Sequence, residues 1–468
     1  MQLDSAPYFV FLGIVWLLSR ITSGRATIGL LLVSSIVFYA AANPIHGIVV
    51  FIVLLGNYAA ARALSAEQET GSRNTIFALA VAGNVGLLTF FKLANAIWQP
   101  NVALSPRMSS WVLNAGGRVL LPLGISYISF QMIAYLTDLY RKTFSAGTDT
   151  GTFFLFGSFF PYISAGPIQR ASQVMPLLEE KYRASGNQLA TAVSLILFGL
   201  FQKFVIANRL ALYVHQVYSS DLPLSSIPVA LGFILSALQL YADFSGYTDI
   251  ALGSALLFGV KLAGNFDRPL LAESVTDFWR RWHISLSTWL RDYLYMPLLI
   301  RLRDLKTSGI FIAFIVTFLI CGAWHKLAWT WVLFGLLHGI ALSVEFATRK
   351  VRRNWFITSP SLQGLLGRAY TLTFWVLTNA LLPAKDLHQA FSMFGRLFSF
   401  TLPHNAGEIF AYQGPVLFLL NFVALAVWFM LAKTRQPPRV SMRFALACSV
   451  LLVFLGKLPE GNFIYVQF

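Results

Sequence analysis

The sequence predicts an all-α, polytopic membrane protein with about twelve transmembrane helices plus re-entrant and interfacial helices. Of its 468 residues, 57% are hydrophobic and 12% are charged, whereas soluble domains carry about 25% charged residues. Apolar runs recur along the chain, and each is long enough, or nearly so, to cross a hydrocarbon core of about 30 Å as a helix. Basic loops alternate with neutral ones, as the positive-inside rule expects of a multi-pass protein.

The predicted spans are separated by turns or charged loops, and the first is expected to be retained because no basic segment precedes it and no cleavage site follows. The alternation of basic loops places the N-terminus outside the cytoplasm. We interpret 1–468 as one membrane domain with N-terminal spans (1–118), a core (119–346) and C-terminal spans (347–468). The simple spans are Tyr8–Ser19, Thr27–Ala42, Gly47–Ala61, Ile76–Phe91, Val119–Leu136, Leu189–Ile206, Ile310–Ala323, Ala328–Phe346, Leu365–Leu382, Pro415–Leu431 and Phe444–Gly456.

The net charge of +16 comes from 35 Lys and Arg against 19 Asp and Glu. In a membrane protein such an excess belongs to cytoplasmic loops, so we predict no nucleic-acid partner. Cys321 and Cys448 offer neither a disulfide framework nor metal-ligand spacing, so no metal site is predicted. The sequence also lacks a phosphate-binding loop, a nucleophile elbow and a His-Glu-x-x-His zinc motif.

Two apolar segments do not fit a simple span. Thr152–Arg170 contains Pro161 and Pro167, which break a helix, and we predict a re-entrant or interfacial segment at the cytoplasmic mouth. The alternative is a kinked ordinary span. Pro228–Val260 is too long for one span, and its polar stretch Tyr241–Asp249 should face a protein interior or a watery cavity. The alternative there is a loop joining two short helices.

Glu273–Leu294 repeats its apolar residues at helical spacing, and Ser274 with Asp277 forms a good helix start. The Trp-rich face and the opposite Arg-rich face predict one helix lying in the membrane interface. It can be an anchor and nothing more. Alternatively its arginines bind a phosphate-bearing ligand, because guanidinium forks bind phosphate oxygens bidentately. These arginines are Arg280, Arg281 and Arg291.

His325 is the histidine with the most informative context, because it follows Trp324 at the junction of two predicted spans. A neutral imidazole there can accept a hydroxyl proton and later return it. A buried packing histidine is the alternative. His338, thirteen residues on, is either its partner or merely its neighbour.

Several longer motifs resemble the membrane-bound O-acyltransferase (MBOAT) family, above all the bacterial branch that holds the alginate and peptidoglycan O-acetyltransferase membrane subunits. Where that family commonly has Trp-His-Gly, this chain has Trp324-His325-Lys326. The matching motifs are Leu121–Gln131 with Asp138 and Tyr140, Phe160–Arg170, Asp243–Asp249, Asn265–Pro269, Asp277–Tyr295, Trp324-His325, His338-Gly339 and Phe463–Phe468.

The resemblance implies many helices around a central funnel or tunnel, with His325 as the catalytic residue and Trp282-His283 at the cytoplasmic mouth. The donor-binding group is expected at Arg280, Arg281, Arg291 and Gln169. The resemblance implies no bound cofactor, and acetyl-CoA or another acyl thioester as the donor substrate. The residues expected to support the site are His283, Trp282, Trp324, His338, Asp243, Ser245, Tyr247, Asp249 and Asn265.

The function that the resemblance implies is transfer of an acyl group, usually acetyl, from a cytoplasmic thioester across the inner membrane for O-acetylation of a polysaccharide. A periplasmic or extracellular acetylesterase-like partner completes such transfers, and membrane lipid surrounds the chain. Two alternatives stay open. One is D-alanyl transfer from a carrier protein to teichoic acid, and the other is a transporter of polysaccharide or lipid without chemistry of its own.

Overall fold

The computed structural model describes residues 2–67, 69–97, 122–145, 149–163, 166–179, 183–219, 224–353, 359–410, 414–432, 448–450 and 456. Within these ranges every regular element is helical, which confirms the predicted all-α class. The predicted span Phe444–Gly456 lies largely outside the described residues, and the C-terminal motif Phe463–Phe468 lies wholly outside them.

The helices follow the apolar runs of the sequence closely. In chain order they are α1 (Ala6–Ile21), α2 (Arg25–Ala42), α3 (Pro44–Ala66), α4 (Thr70–Ile97), α5 (Ile125–Tyr140), α6 (Thr150–Ser158), α7 (Ala171–Glu179), α8 (Gly186–Ser219), α9 (Ser226–Leu257), α10 (Val275–Arg281), α11 (Ile284–Leu290), α12 (Met296–Arg301), α13 (Lys306–His325), α14 (Trp329–Arg353), α15 (Pro360–Asn379), α16 (Leu387–Phe398), α17 (Ala406–Ile409) and α18 (Pro415–Ala432).

Seven helices in the described part of the chain are long and apolar enough to cross a membrane. α1 is apolar but shorter. The seven correspond to predicted spans or to the long apolar run before Val260, and this confirms a multi-pass membrane protein. Their membrane-competent stretches are Arg25–Ala42, Pro44–Ala66, Thr70–Ala94, Gly186–Ser219, Ser226–Leu257, Arg303–His325 and Trp329–Val351.

The chain divides into two compact units. The first comprises Met1–Ile196 with Tyr247–Ala263, and the second comprises Leu197–Gly246 with Gly264–Phe468. The single membrane domain and its three parts stay predictions.

In the first unit, the segment before Arg170 breaks where its prolines predicted. α6 has 9 residues, or about 14 Å at 1.5 Å per residue, so the helix alone is too short to cross a membrane. A re-entrant or interfacial segment stays a prediction, with a kinked span as its alternative. The chain then turns, and the Gly166 N–H donates to the Tyr162 carbonyl at 2.8 Å. Phe159 and Tyr162 are buried, so protein covers the irregular backbone as expected of a broken segment at membrane depth.

The long apolar run is one continuous helix, α9, of 32 residues. At 1.5 Å per residue it is about 48 Å long, so the loop alternative for Tyr241–Asp249 is wrong. The polar side chains in its middle are buried, as predicted for residues that must avoid lipid. A helix survives there because these side chains find partners inside the protein rather than in a loop.

In the second unit, α8 provides those partners through a π-helical segment, Phe201–Ala207. The Lys203 Nζ lies 2.5 Å from Asp243 Oδ1, and both side chains are buried. The Ser245 hydroxyl donates to Gln202 Oε1 at 2.6 Å. Two consecutive polar residues of this segment, Gln202 and Lys203, therefore both contact α9.

α13 and α14 form a tight antiparallel hairpin that depends on glycine. A Cβ at Gly322 would collide with the Trp331 carbonyl, and a Cβ at Gly335 would collide with the Phe318 carbonyl. A Cβ at Gly339 would lie 2.8 Å from the Ile315 Cα. The two backbones therefore approach closely, and their contact positions His325 at the C-terminal end of α13.

Replacing Gly335 by Ala should destabilise this hairpin by about 1–3 kcal/mol, because an added methyl must push two backbones apart. The matched control is Gly395→Ala in α16, where an added Cβ meets nothing within 4 Å. That variant should gain about 0.5–1 kcal/mol from helix propensity. Thermal unfolding of both variants in detergent measures the difference. Equal shifts in Tm would contradict the close approach.

Candidate active site

The single helix predicted over Glu273–Leu294 is wrong, because the chain breaks at Trp282 and His283. α10 ends at Arg281, His283 adopts a left-handed conformation with φ 45°, and α11 follows. A π-segment, Arg291–Tyr295, comes after α11. The predicted start is confirmed, since the Asp277 N–H donates to Ser274 Oγ at 3.0 Å.

The break is stabilised by the segment from Asn265 to Asp267, which pairs with it through backbone hydrogen bonds. The Asp267 N–H donates to the Arg281 carbonyl at 2.9 Å, and the Ile284 N–H donates to the Asn265 carbonyl at 2.9 Å. The backbone groups that a helix end leaves without intrahelical partners are therefore satisfied. Apolar periodicity carries no signal for such long-range pairing.

The side chain of Asn265 completes this arrangement. Its Oδ1 accepts from the Ser285 N–H at 3.1 Å and from the Ser285 hydroxyl at 2.9 Å. The Nδ1 of His283 lies 3.1 Å from the same oxygen. Both Asn265 and His283 are buried. Asn265 therefore caps the start of α11 and holds the imidazole of His283.

His283 lies between an aromatic side chain and a second histidine. Phe244 meets its ring edge-on, with centroids 4.7 Å apart, and the His325 ring centroid is 6.4 Å away. Burial lowers the pKa of His283 to about 3, because desolvation disfavours the imidazolium. The ring is therefore neutral at physiological pH.

His325 is the last residue of α13 and is buried, with 6% of its surface exposed. Its ring centroid lies 4.5 Å from that of Trp324 and 5.4 Å from that of Trp331. Lys326, where the related motif has glycine, is extended with φ −151°. Any residue adopts that conformation, so the lysine does not disturb the backbone at His325.

Trp282 holds the break in place through aromatic packing and is buried. Its ring stacks on Phe278 with centroids 5.4 Å apart. Three more rings contact it at centroid distances from 5.1 to 5.7 Å, namely Phe266, Trp375 and Tyr241. Aromatic contacts therefore fix the Trp282 side chain on several sides.

His338 is fully buried, and both of its ring nitrogens are engaged. The Trp279 indole N–H donates to His338 Nδ1 at 3.1 Å. Since Nδ1 accepts, the neutral ring carries its proton on Nε2, which lies 3.1 Å from Thr378 Oγ1. In this arrangement His338 ties α10 and α15 to α14.

Glu345 joins α10 to α14 in the same way, and sequence reasoning missed it. Its Oε1 accepts from the Val275 N–H at 2.7 Å, and its Oε2 accepts from the Thr276 N–H at 3.0 Å. The Thr276 hydroxyl donates to Oε2 at 2.7 Å. A signal was present, because a carboxylate inside an apolar run needs internal partners.

Two of the three arginines predicted to bind phosphate are already paired with carboxylates. The Arg281 Nε donates to Asp277 Oδ2 at 2.9 Å. The Arg291 Nε donates to Asp292 Oδ1 at 2.8 Å, and this hydrogen bond raises the pKa of Arg291. Arg280, at the end of α10, is exposed. Donor binding by these arginines stays a prediction.

Three predicted residues belong to the first unit. The Gln169 Nε2 donates to the Pro167 carbonyl at 2.7 Å, and Gln169 is buried. The Tyr247 hydroxyl donates to Asp4 Oδ1 at 2.8 Å. Asp249 is also buried. Asp243 and Ser245, with the other predicted residues, lie in the second unit.

The arrangement in the second unit can support proton transfer. Two buried imidazoles, from His283 and His325, lie together among Phe and Trp side chains. A neutral imidazole can take a proton from a hydroxyl and return it to a leaving group. Among the described residues, no group of three or more His, Cys, Asp or Glu could hold a metal ion.

Comparisons with known proteins identify a family and several relatives. The profile of the membrane-bound O-acyltransferase family matches residues 145–384. The peptidoglycan O-acetyltransferase of Helicobacter pylori is 33% identical over 393 residues, covering 77% of this chain and 71% of that protein. The probable alginate O-acetylase AlgI of Pseudomonas putida is 32% identical over 395 residues, covering 84% and 79%. The teichoic acid D-alanyltransferase of Streptococcus thermophilus is 32% identical over 250 residues, covering 48% and 57%.

The helical fold, the buried histidines and these relatives define a membrane enzyme that transfers acyl groups to oxygen. The chain belongs to the membrane-bound O-acyltransferase family.

Replacing Glu345 by Ala should lower the free energy of unfolding by about 1–3 kcal/mol, because it leaves buried donors of α10 without their acceptor. The control is Glu69→Ala, which removes an exposed carboxylate. Thermal unfolding of the purified proteins measures both. A Glu345 variant as stable as the Glu69 variant would show that α10 does not depend on this carboxylate.

Proposed function

We propose that this protein takes an acetyl group from a cytoplasmic acyl thioester, acetyl-CoA, and moves it across the inner membrane for O-acetylation of a cell-envelope or secreted polysaccharide. The observation that carries the proposal is the burial of His325 at the end of α13, 6.4 Å from the ring of His283. Relatives named for O-acetylation of peptidoglycan and alginate support the substrate class.

In the proposed reaction, His325 removes the proton from the acceptor hydroxyl as its oxygen attacks the thioester carbonyl. The C–S bond then breaks, and the imidazolium returns the proton to the departing thiolate. A positioned general base contributes about 10²–10⁴-fold in rate. Burial among Trp324 and Trp331 supports this role, because bulk water is kept from the reacting groups.

The donor end of the site is proposed at Arg280, Arg281 and Arg291, on the segment that carries His283. Arg280 is exposed and can meet a phosphate directly. Arg281 would exchange its partner Asp277 for phosphate, which makes it the weaker donor contact. The proposed reaction needs no bound cofactor.

A second protein is proposed to complete transfer to the polymer outside the cytoplasm. The chemistry expected of that partner is an acetylesterase-like transferase in the periplasm or outside the cell. Relatives of the present chain act in acyl transfer to polysaccharide or teichoic acid, which supports a hand-over of the acyl group between proteins.

His325→Ala should abolish release of CoA from radiolabelled acetyl-CoA, because the general base is lost. The purified protein in detergent, supplied with acetyl-CoA and a hydroxyl acceptor, is the assay. The control is His215→Ala, which removes an exposed histidine of α8. Its release of CoA should match that of the unaltered protein.

Near-normal release of CoA by a folded His325→Ala protein would overturn the role of this residue. No release from acetyl-CoA by the unaltered protein, together with transfer from a D-alanyl carrier protein, would assign the teichoic acid reaction instead. Movement of polysaccharide or lipid without cleavage of any thioester would identify a transporter.

A further inference from the structure

The orientation of the Asn265 amide is decided by its contact with the backbone. The Ser285 N–H can only donate, and it points at Asn265 Oδ1 across 3.1 Å. Exchanging the oxygen and nitrogen of the amide would set two donors against each other, so the oxygen must occupy this position. The Ser285 hydroxyl adds a hydrogen bond to the same oxygen at 2.9 Å.

The same oxygen fixes the proton of the neighbouring imidazole. Asn265 Oδ1 can only accept, so the His283 Nδ1 that lies 3.1 Å away must carry a hydrogen. A neutral imidazole has one N–H, and its other nitrogen then carries the lone pair. The contact therefore selects the form of His283 in which Nε2 is the basic nitrogen.

We propose that Asn265 is a positioning residue that holds His283 in the Nδ1–H tautomer, so that Nε2 serves as a hydrogen-bond acceptor during acyl transfer. The inference rests on the proposed function, in which His325 takes the proton of the acceptor hydroxyl. A hydroxyl has one hydrogen to donate, and the proposed function gives it to His325, so the lone pair on His283 Nε2 is available to another donor group of the substrate. In the opposite tautomer Nε2 could only donate a hydrogen bond.

The backbone conformation of His283 also depends on Asn265. The left-handed conformation, with φ 45°, is costly for a residue with a Cβ and persists only where the surroundings hold it. Asn265 holds it twice, through the carbonyl that accepts from the Ile284 N–H and through the amide oxygen. The residue that stabilises the break is thus also the residue that selects the tautomer.

Several titratable and charged groups lie on the elements that pack around His283. His325 faces it across 6.4 Å. On α9, Asp243 precedes the contacting residue Phe244 and is ion-paired with Lys203. In the neighbouring backbone segments, Arg281 forms an ion pair with Asp277. Asp267 forms ion pairs with Arg281 and Arg268. The contact of Asn265 Oδ1 with Nδ1 favours the form of His283 that carries its proton on Nδ1.

The test is ¹⁵N NMR of the full-length protein in detergent, labelled with ¹⁵N in its histidine rings. Loss of a signal pair in His283→Gln assigns the resonances of His283. We expect one protonated and one unprotonated nitrogen between pH 5.5 and 8, with the proton on Nδ1. A proton on Nε2, or an imidazolium in this range, would overturn the proposal whether or not the protein transfers acetyl groups.

Three variants separate positioning from a loss of stability. Ser285→Ala removes one hydrogen bond to Asn265 but keeps the contact with His283, so the Nδ1–H tautomer should persist. Asn265→Ala removes the acceptor, so both tautomers should appear. In another enzyme, a histidine held in the wrong tautomer costs about 10⁴ in kcat, and we expect at least a tenfold fall here with little change in KM.

Asn265→Asp keeps the acceptor oxygen and adds a negative charge, so it should fold and retain the Nδ1–H form. The carboxylate favours the imidazolium and raises the pKa of His283. The imidazolium signals of His283 should therefore appear at a higher pH than in the unaltered protein. An Asn265→Ala protein that keeps the Nδ1–H signal would overturn the proposal, and so would an Asp variant whose His283 imidazolium appears at no higher pH.

Discussion

The constraint that organises this molecule is the need to satisfy polar groups inside an apolar protein. In a soluble protein a carboxylate or imidazole can lie at the surface and be hydrated. In the hydrocarbon region of a membrane its partner must come from within the protein. Lys203 and Asp243 meet this need as a buried pair, and Glu345 meets it by capping α10. Each such contact joins helices that are distant in sequence, so the polar residues determine which helices pack together.

The sequence was sufficient for the features that depend on local pattern. The apolar runs gave the long helices, and Ser274 gave the start of α10. It was insufficient where distant partners decide. The break at His283 is stabilised by Asn265, eighteen residues earlier. The aromatic residues before and after the break in Glu273–Leu294 nevertheless lie at helical spacing. Periodicity therefore predicted an unbroken helix, and the same limit explains the loop alternative inside α9.

The candidate site residues also differ in how much local sequence pattern reveals about them. The position of His325 at the end of a span is visible in hydropathy, whereas the environment of His338 is not. The sequence left open whether His338 is a partner of His325 or merely its neighbour. The contacts of His338 are with Trp279 and Thr378. With both nitrogens engaged, the ring anchors helices. This accounts for a fully buried histidine without assigning it a proton-transfer step.

His283 and His325 differ in their contacts, and this separates their proposed tasks. His283 is kept neutral by desolvation, which disfavours any charge on its ring. His325 is the last residue of α13, and its ring packs against Trp324 and Trp331. Removal of the hydroxyl proton is proposed for His325, so the lone pair that Asn265 assigns to Nε2 of His283 is available to accept a hydrogen bond from another group of the substrate.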